Sequence, residues 1–97
     1  MKLYIDTSQI NTTKIILGSV TKTSQSRIVK SQAVLPLIEE MLLEQKLTLK
    51  DITEITVVTG PGSFTGLRVG ATVANALGYL LGVPVNGKRD LVIPTYT

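Results

Sequence analysis

The chain has no cysteine and no histidine. The first absence excludes disulfides and thiolate zinc sites and fits a reducing compartment. The second removes imidazole general-base chemistry and most transition-metal sites. Aromatic residues are few, namely Tyr4, Phe64, Tyr79 and Tyr96, which is too thin for a base-stacking surface. The net charge is only +3, and the basic residues are scattered rather than blocked, so no nucleic-acid stripe is visible. The longest largely apolar stretch, Val69 to Val85, is broken by glycines, Asn75 and Pro84, so it reads as a helix and a strand rather than a membrane span. Met1 to Ile5 runs straight into Asp6, which no signal peptide fits. These features predict a soluble, cytoplasmic protein.

What is present is enough for one compact domain. The chain has 97 residues, 43% of them hydrophobic, so it can bury a real core. Leu3-Tyr4-Ile5 and Ile15 to Val20 read as two strands of a hairpin, separated by a polar turn around Asn11. Thr21 to Gln25 reads as a second polar turn, and Arg27 to Lys30 as a third strand. Helical spacing then sets in at Leu35, Ile38 and Leu42, with Ser31 as N-cap and Pro36 loosening the first turns. Thr48 to Asp51 reads as a short capped turn. Ile55 to Val58 is a strand, Thr65 to Leu81 a helix, and Val83-Pro84-Val85 a last short strand, with Leu91 to Ile93 as a further one. Hairpin-linked strands followed by strands reached through helices give a mixed sheet. The expected fold is α/β, one lobe with a five-stranded mixed sheet and two main helices.

The segment TGPGSFTGLRVG, Thr59 to Gly70, joins the fourth strand to the second helix. It lacks the lysine and the spacing of a Walker loop, and Gly60, Gly62 and Gly66 are one residue out of step with a dinucleotide loop. Glycine, proline and a capping Ser63 or Thr65 explain a strand-to-helix turn. The free amides of a helix N-terminus would also suit a phosphate. Asp6-Thr7-Ser8, at the end of the first strand, is the other polar cluster. It reads as an Asx-type turn, with a magnesium- or phosphate-facing role as the alternative. The tentative nucleotide set is therefore Asp6, Thr7, Gly60, Gly62 and Ser63. No paired carboxylates converge, so no catalytic residue and no metal ligand set is assigned.

In the second helix, Gly66, Gly70, Ala74, Gly78 and Gly82 recur every fourth residue and share one face. Four glycines cost on the order of 1 kcal/mol each relative to alanine, so close packing must compensate. Either the helix lies tightly on its own sheet, or the bare ridge faces outward for another helix. In the second case Val69, Val73, Ala76 and Leu80 face the sheet, and Leu67, Arg68, Ala71 and Asn75 join the ridge as contacts.

Taken together, IDTS, SQAVLPLIEEML, DITEITVVTGPGSFTGLRVG and GVPVNG resemble the N-terminal half of the TsaB (YeaZ) family, over roughly Met1 to Gly87. The resemblance implies a ribonuclease-H-like lobe of the actin, Hsp70 and sugar-kinase superfamily. It implies a non-catalytic subunit in the synthesis of threonylcarbamoyladenosine in tRNA, which activates the catalytic subunit TsaD by helix-mediated pairing, alongside the ATPase TsaE. It further implies a homodimer when the chain is alone, contact with tRNA only through the complex, no membrane association, and ATP or ADP with Mg²⁺ at a subunit interface. Carried over by position, Asp6 and Thr7 match the superfamily's phosphate-facing turn. The interface set is Leu35, Ile38, Leu42, Gly66, Leu67, Arg68, Gly70, Ala71, Ala74, Asn75 and Gly78. The family's second lobe has no counterpart in residues 1–97. The alternative reading is a small ATPase or phosphotransferase using Asp6 and the Gly60–Gly66 loop. A peptidase ranks lower still, because no serine–base pair is visible.

Overall fold

A computed structural model describes residues 1–25, 30–88 and 93. Strands β1 (Lys2–Asp6), β2 (Thr12–Leu17) and β3 (Val20–Gln25) come first, then helix α1 (Lys30–Glu44), a single 3₁₀ turn (Leu49–Asp51), strand β4 (Glu54–Val57) and helix α2 (Phe64–Leu81). The strands form one sheet in the order β3-β2-β1-β4. β1 pairs antiparallel with β2 and parallel with β4, as expected of a hairpin followed by a helical crossover.

Alternation decides which face each strand buries. Leu3 and Ile5, Ile15 and Leu17, and Ile55 and Val57 are buried on one side. Val34, Leu37, Ile38, Met41 and Leu42 of α1, with Ala74 and Leu77 of α2, complete the same cluster. Both helices therefore cover one face of the sheet and pack against each other. Each fully buried Leu or Ile contributes about 1.5–3 kcal/mol, so this shared core fixes α1. Lys22 of β3 also bonds to Glu40 and Glu44 on the outside of α1, but exposed ion pairs contribute little.

The structure corrects several expectations. Thr21 to Gln25 is strand rather than turn, because the tight turn comes earlier, at Gly18-Ser19. Gly18 has φ +61° there, a conformation glycine adopts without strain. β3 is polar because it is an edge strand and mostly exposed. The strand expected at Arg27 to Lys30 lies outside the described residues except for Lys30, which already belongs to α1, so Ser31 is inside the helix rather than its cap. The helix runs on through Pro36, which sits on its exposed side. The capped turn is as expected: Thr48 N–H donates to Asp51 Oδ2 at 2.8 Å.

The fifth strand is reduced to one residue. Val85 makes a single parallel bridge to Ile55, so the described residues form four strands. Pro84 has no N–H to extend a ladder, and Asn86 turns away with φ +52°. Leu91 and Val92, expected in a further strand, lie outside the described residues.

The largest correction concerns α2. Its small-residue ridge faces inward. Gly66, Gly70, Ala71, Ala74 and Gly78 are buried, whereas Ala76 and Leu80 are exposed and Val69 and Val73 only half-buried. A Cβ at Gly70 would collide with Thr7 Oγ1 and stand 3.3 Å from Val57 Cγ2. One at Gly78 would lie 2.5 Å from Val85 Cγ2. The missing side chains let α2 settle onto β1, β4 and the Val85 bridge, and this packing offsets the helix cost of glycine. Gly82 is no part of the ridge. It is the left-handed C-cap, at φ +66°. Replacing Gly70 with valine is expected to overpack this contact and destabilise the fold by about 1–3 kcal/mol, measured as a lower urea midpoint in circular dichroism.

Candidate functional site

The two polar motifs of the sequence do meet. β1 and β4 run parallel, so their C-terminal ends lie at the same edge of the sheet. There Asp6-Thr7-Ser8 and the Gly60–Ser63 loop are fastened together. Ser63 N–H donates to Ser8 O at 2.8 Å. Thr7 is wholly buried, and its hydroxyl donates to Gly66 O. Asp6 Oδ1 accepts from Ser8 N–H at 2.9 Å and from the Ser8 hydroxyl at 2.5 Å. That is the Asx-type turn, here closed twice. Its carboxylate, after burial, helps push the Tyr4 phenol above its ordinary pKa.

The loop's own residues start α2. Ser63 is the N-cap, accepting from Gly66 N–H at 3.3 Å through its side chain, and Leu67 N–H bonds to Ser63 O at 2.8 Å. A helix N-terminus and a carboxylate are thus neighbours, but they are tied into the protein itself. A Cβ on Gly62 would stand 2.6 Å from Ser8 Cβ and 2.8 Å from Ser8 O. Glycine at this position lets the loop lie directly against Ser8. As arranged, Asp6, Thr7, Gly62 and Ser63 come together at one edge of the sheet, with Gly60 in the same loop.

The expected interface residues divide into two groups. Ile38, Leu42, Gly66, Leu67, Gly70, Ala71, Ala74 and Gly78 are buried against the chain's own sheet and helices. They build the core, and the outward ridge is corrected accordingly. Leu35 and Arg68 are exposed, and Asn75 is half-buried.

The face of α2 that does look outward holds Arg68, expected as a contact, together with Val69, Val73, Ala76 and Leu80, which an outward glycine ridge would have turned to the sheet. Thr65, Arg68, Val69, Thr72 and Val73 line a groove of about 310 Å³. Further along the helix, Tyr79 is 89% exposed and Leu80 76%. On α1, Leu43 is 77% exposed. Arg68 lies over the Phe64 ring, 5.5 Å from its centroid, so its charge is held near the groove by a cation–π contact. Spacing offered a signal: Thr65, Arg68, Thr72 and Tyr79 are the polar or amphipathic positions of α2, and they mark the wet side.

Similarity to known proteins agrees with this architecture. The sequence matches the family profile of TsaD, tRNA N6-adenosine threonylcarbamoyltransferase, over residues 17–91. The chain belongs to the TsaD family, as a TsaB (YeaZ) member. It is 38% identical over 60 residues to the tRNA threonylcarbamoyladenosine biosynthesis protein TsaB of Buchnera aphidicola subsp. Schizaphis graminum, a match covering 62% of this chain and 29% of that protein. It is 33% identical over 61 residues to TsaB of Bacillus subtilis, covering 63% and 27%. Its fold is similar to YeaZ from Pseudomonas aeruginosa, with a TM-score of 0.74 and 26% identity over 87% of this chain and 41% of that one. The chain therefore spans less than half the length of these TsaB relatives.

Ser63→Ala removes the cap and one link between loop and helix. It should cost about 0.5–2 kcal/mol, seen as a lower thermal midpoint, with the fold otherwise retained.

Proposed function

We propose that this TsaB-type chain is a non-enzymatic activating subunit for threonylcarbamoyladenosine synthesis in tRNA, and that it works by pairing through its outer helical face with a TsaD-type catalytic subunit. The observation that carries the proposal is the outer side of α2. There an apolar stripe of Val69, Val73, Ala76 and Leu80 runs past a groove and beside an arginine, in a helix whose other side is fully used by the core. Exposed Tyr79 and Arg68 are of the residue types enriched at interfaces, and Leu80 and Leu43 add exposed apolar surface on the helices. Leu35 and Arg68 remain in the proposed contact set, and the buried ridge acts indirectly by holding α2 in place.

The proposal extends to the remaining parts of this reading. The four-stranded sheet with its Val85 bridge is taken as one ribonuclease-H-like lobe whose fifth strand starts at that bridge. When no catalytic partner is present, the same face pairs two copies. ATP or ADP with Mg²⁺ belongs to the seam between subunits, with Asp6, Thr7, Gly60, Gly62 and Ser63 on this chain's side of it. A TsaE-type ATPase joins the assembly, tRNA is reached through the complex, and the site of action is the cytoplasm. The described residues include no helix long and apolar enough to cross a membrane.

Size-exclusion chromatography with a purified TsaD-type subunit tests the pairing. The wild-type chain should shift the partner's elution. Leu80→Glu combined with Leu43→Glu should weaken the pairing by about 30-fold or more, while circular dichroism stays unchanged because both residues are exposed. If the double variant pairs like the wild type, or the wild type does not pair at all, this face is not the docking surface.

A further inference from the structure

Asn86-Gly87 is a dipeptide that neither the fold class nor the proposed function uses. Both residues have positive φ, +52° and +76°, as a two-residue hairpin turn requires. Val85 and Lys88 close the turn with reciprocal backbone bonds, Val85 N–H to Lys88 O at 2.8 Å and Lys88 N–H to Val85 O at 3.0 Å. Asparagine followed by glycine is the sequence that most readily deamidates, because the glycine amide nitrogen reaches the side-chain carbonyl carbon without steric hindrance. Asn86 and Gly87 are both exposed, and nothing lies within 4 Å of a Cβ placed on Gly87.

The Asn86 carboxamide, however, already has a role. Its Oδ1 accepts from Val57 N–H at 2.8 Å, and its Nδ2 donates to Val57 O at 3.0 Å. Two residues earlier along β4, Ile55 N–H bonds to Pro84 O, and Asn86 N–H bonds to Ile55 O. The side chain therefore copies the next peptide group of a parallel strand. It satisfies the backbone of β4 at the place where the main chain has turned away.

We propose that Asn86 is a deamidation site guarded by this pairing, and that its conversion releases the β4 edge irreversibly. In the reaction, Gly87 nitrogen attacks Asn86 Cγ, a proton leaves the nitrogen, and ammonia departs to give a succinimide. Water then opens the ring to aspartate or isoaspartate. In the folded protein the carboxamide is held against Val57, so the attack waits for the turn to open. After conversion the pairing cannot re-form. An aspartate carboxylate has no N–H for Val57 O and sets two acceptors facing each other. An isoaspartate adds a backbone methylene and breaks the Val85–Lys88 closure. The exposed edge then offers unpaired groups to another chain.

The test incubates the full chain at pH 8 and follows the peptide containing Asn86 by mass spectrometry, which reports the gain of about one mass unit. A synthetic peptide of residues 83–89 and the urea-unfolded chain serve as references. Conversion at Asn86 should be about tenfold or more slower in the folded chain, the factor by which two hydrogen bonds of ordinary net strength hold an equilibrium closed. Equal rates in folded and unfolded chains would overturn the guarding. In parallel, Asn86→Asp should lower the melting temperature by about 5 °C or more, whereas Asn11→Asp, in the exposed β1–β2 turn, should leave it unchanged. An Asn86→Asp chain as stable as the wild type would overturn the claim that the carboxamide closes the edge.

Discussion

How near α2 is allowed to come to the ends of β1 and β4 decides the rest of the architecture. Thr7 is buried under the first turns of α2 and donates to Gly66 O. Gly70 leaves the space that Thr7 and Val57 occupy, and Gly78 leaves the space for Val85. Since Thr7 sits in the turn with Asp6 and Ser8, the same approach draws the Gly60–Ser63 loop against that turn and sets the N-cap of α2. Glycine is unfavourable in a helix on propensity alone. Here it is retained because each missing Cβ admits a neighbour from the sheet, and close packing is where the core gains its last increments of stability.

One consequence is a division of labour between the two sides of α2. The inner side is small and committed to the chain's own core. The outer side carries the larger groups, from the Arg68 and Phe64 pair to Tyr79 and Leu80. A partner that docks here would meet a stiff helix whose position is fixed from behind, which reduces the ordering cost of association.

Much of this was legible in the sequence. β-branched and alternating runs located β1, β2 and β4, and the period of Leu35, Ile38 and Leu42 located α1. Thr48 to Asp51 was readable as a cap because the reciprocal side-chain bond is local. Asp6-Thr7-Ser8 and the glycine loop were each placed at a strand end, but that the two ends adjoin depends on the parallel pairing of β1 and β4. Other features depended on tertiary context. β3 was hidden because an edge strand has no need of apolar residues, so Thr21 to Gln25 looked like a turn. The direction of the glycine ridge was hidden because i, i+4 spacing says which residues share a face and not which neighbour that face meets. Asn86-Gly87 carried a readable hairpin signal, but its bond to Val57 is long-range and no local pattern announces it.

The most direct test of the account is a double-mutant cycle between Thr7 and Gly70, measured by urea unfolding of wild type, Thr7→Ala, Gly70→Ala and the combined variant. If α2 lies where Thr7 and Gly70 exclude each other, alanine at position 70 should cost far less when position 7 is also alanine. A coupling of about 1 kcal/mol or more is then expected. Strictly additive effects would mean that the two sites do not touch, and that the glycines of α2 serve some purpose other than its seat on β1.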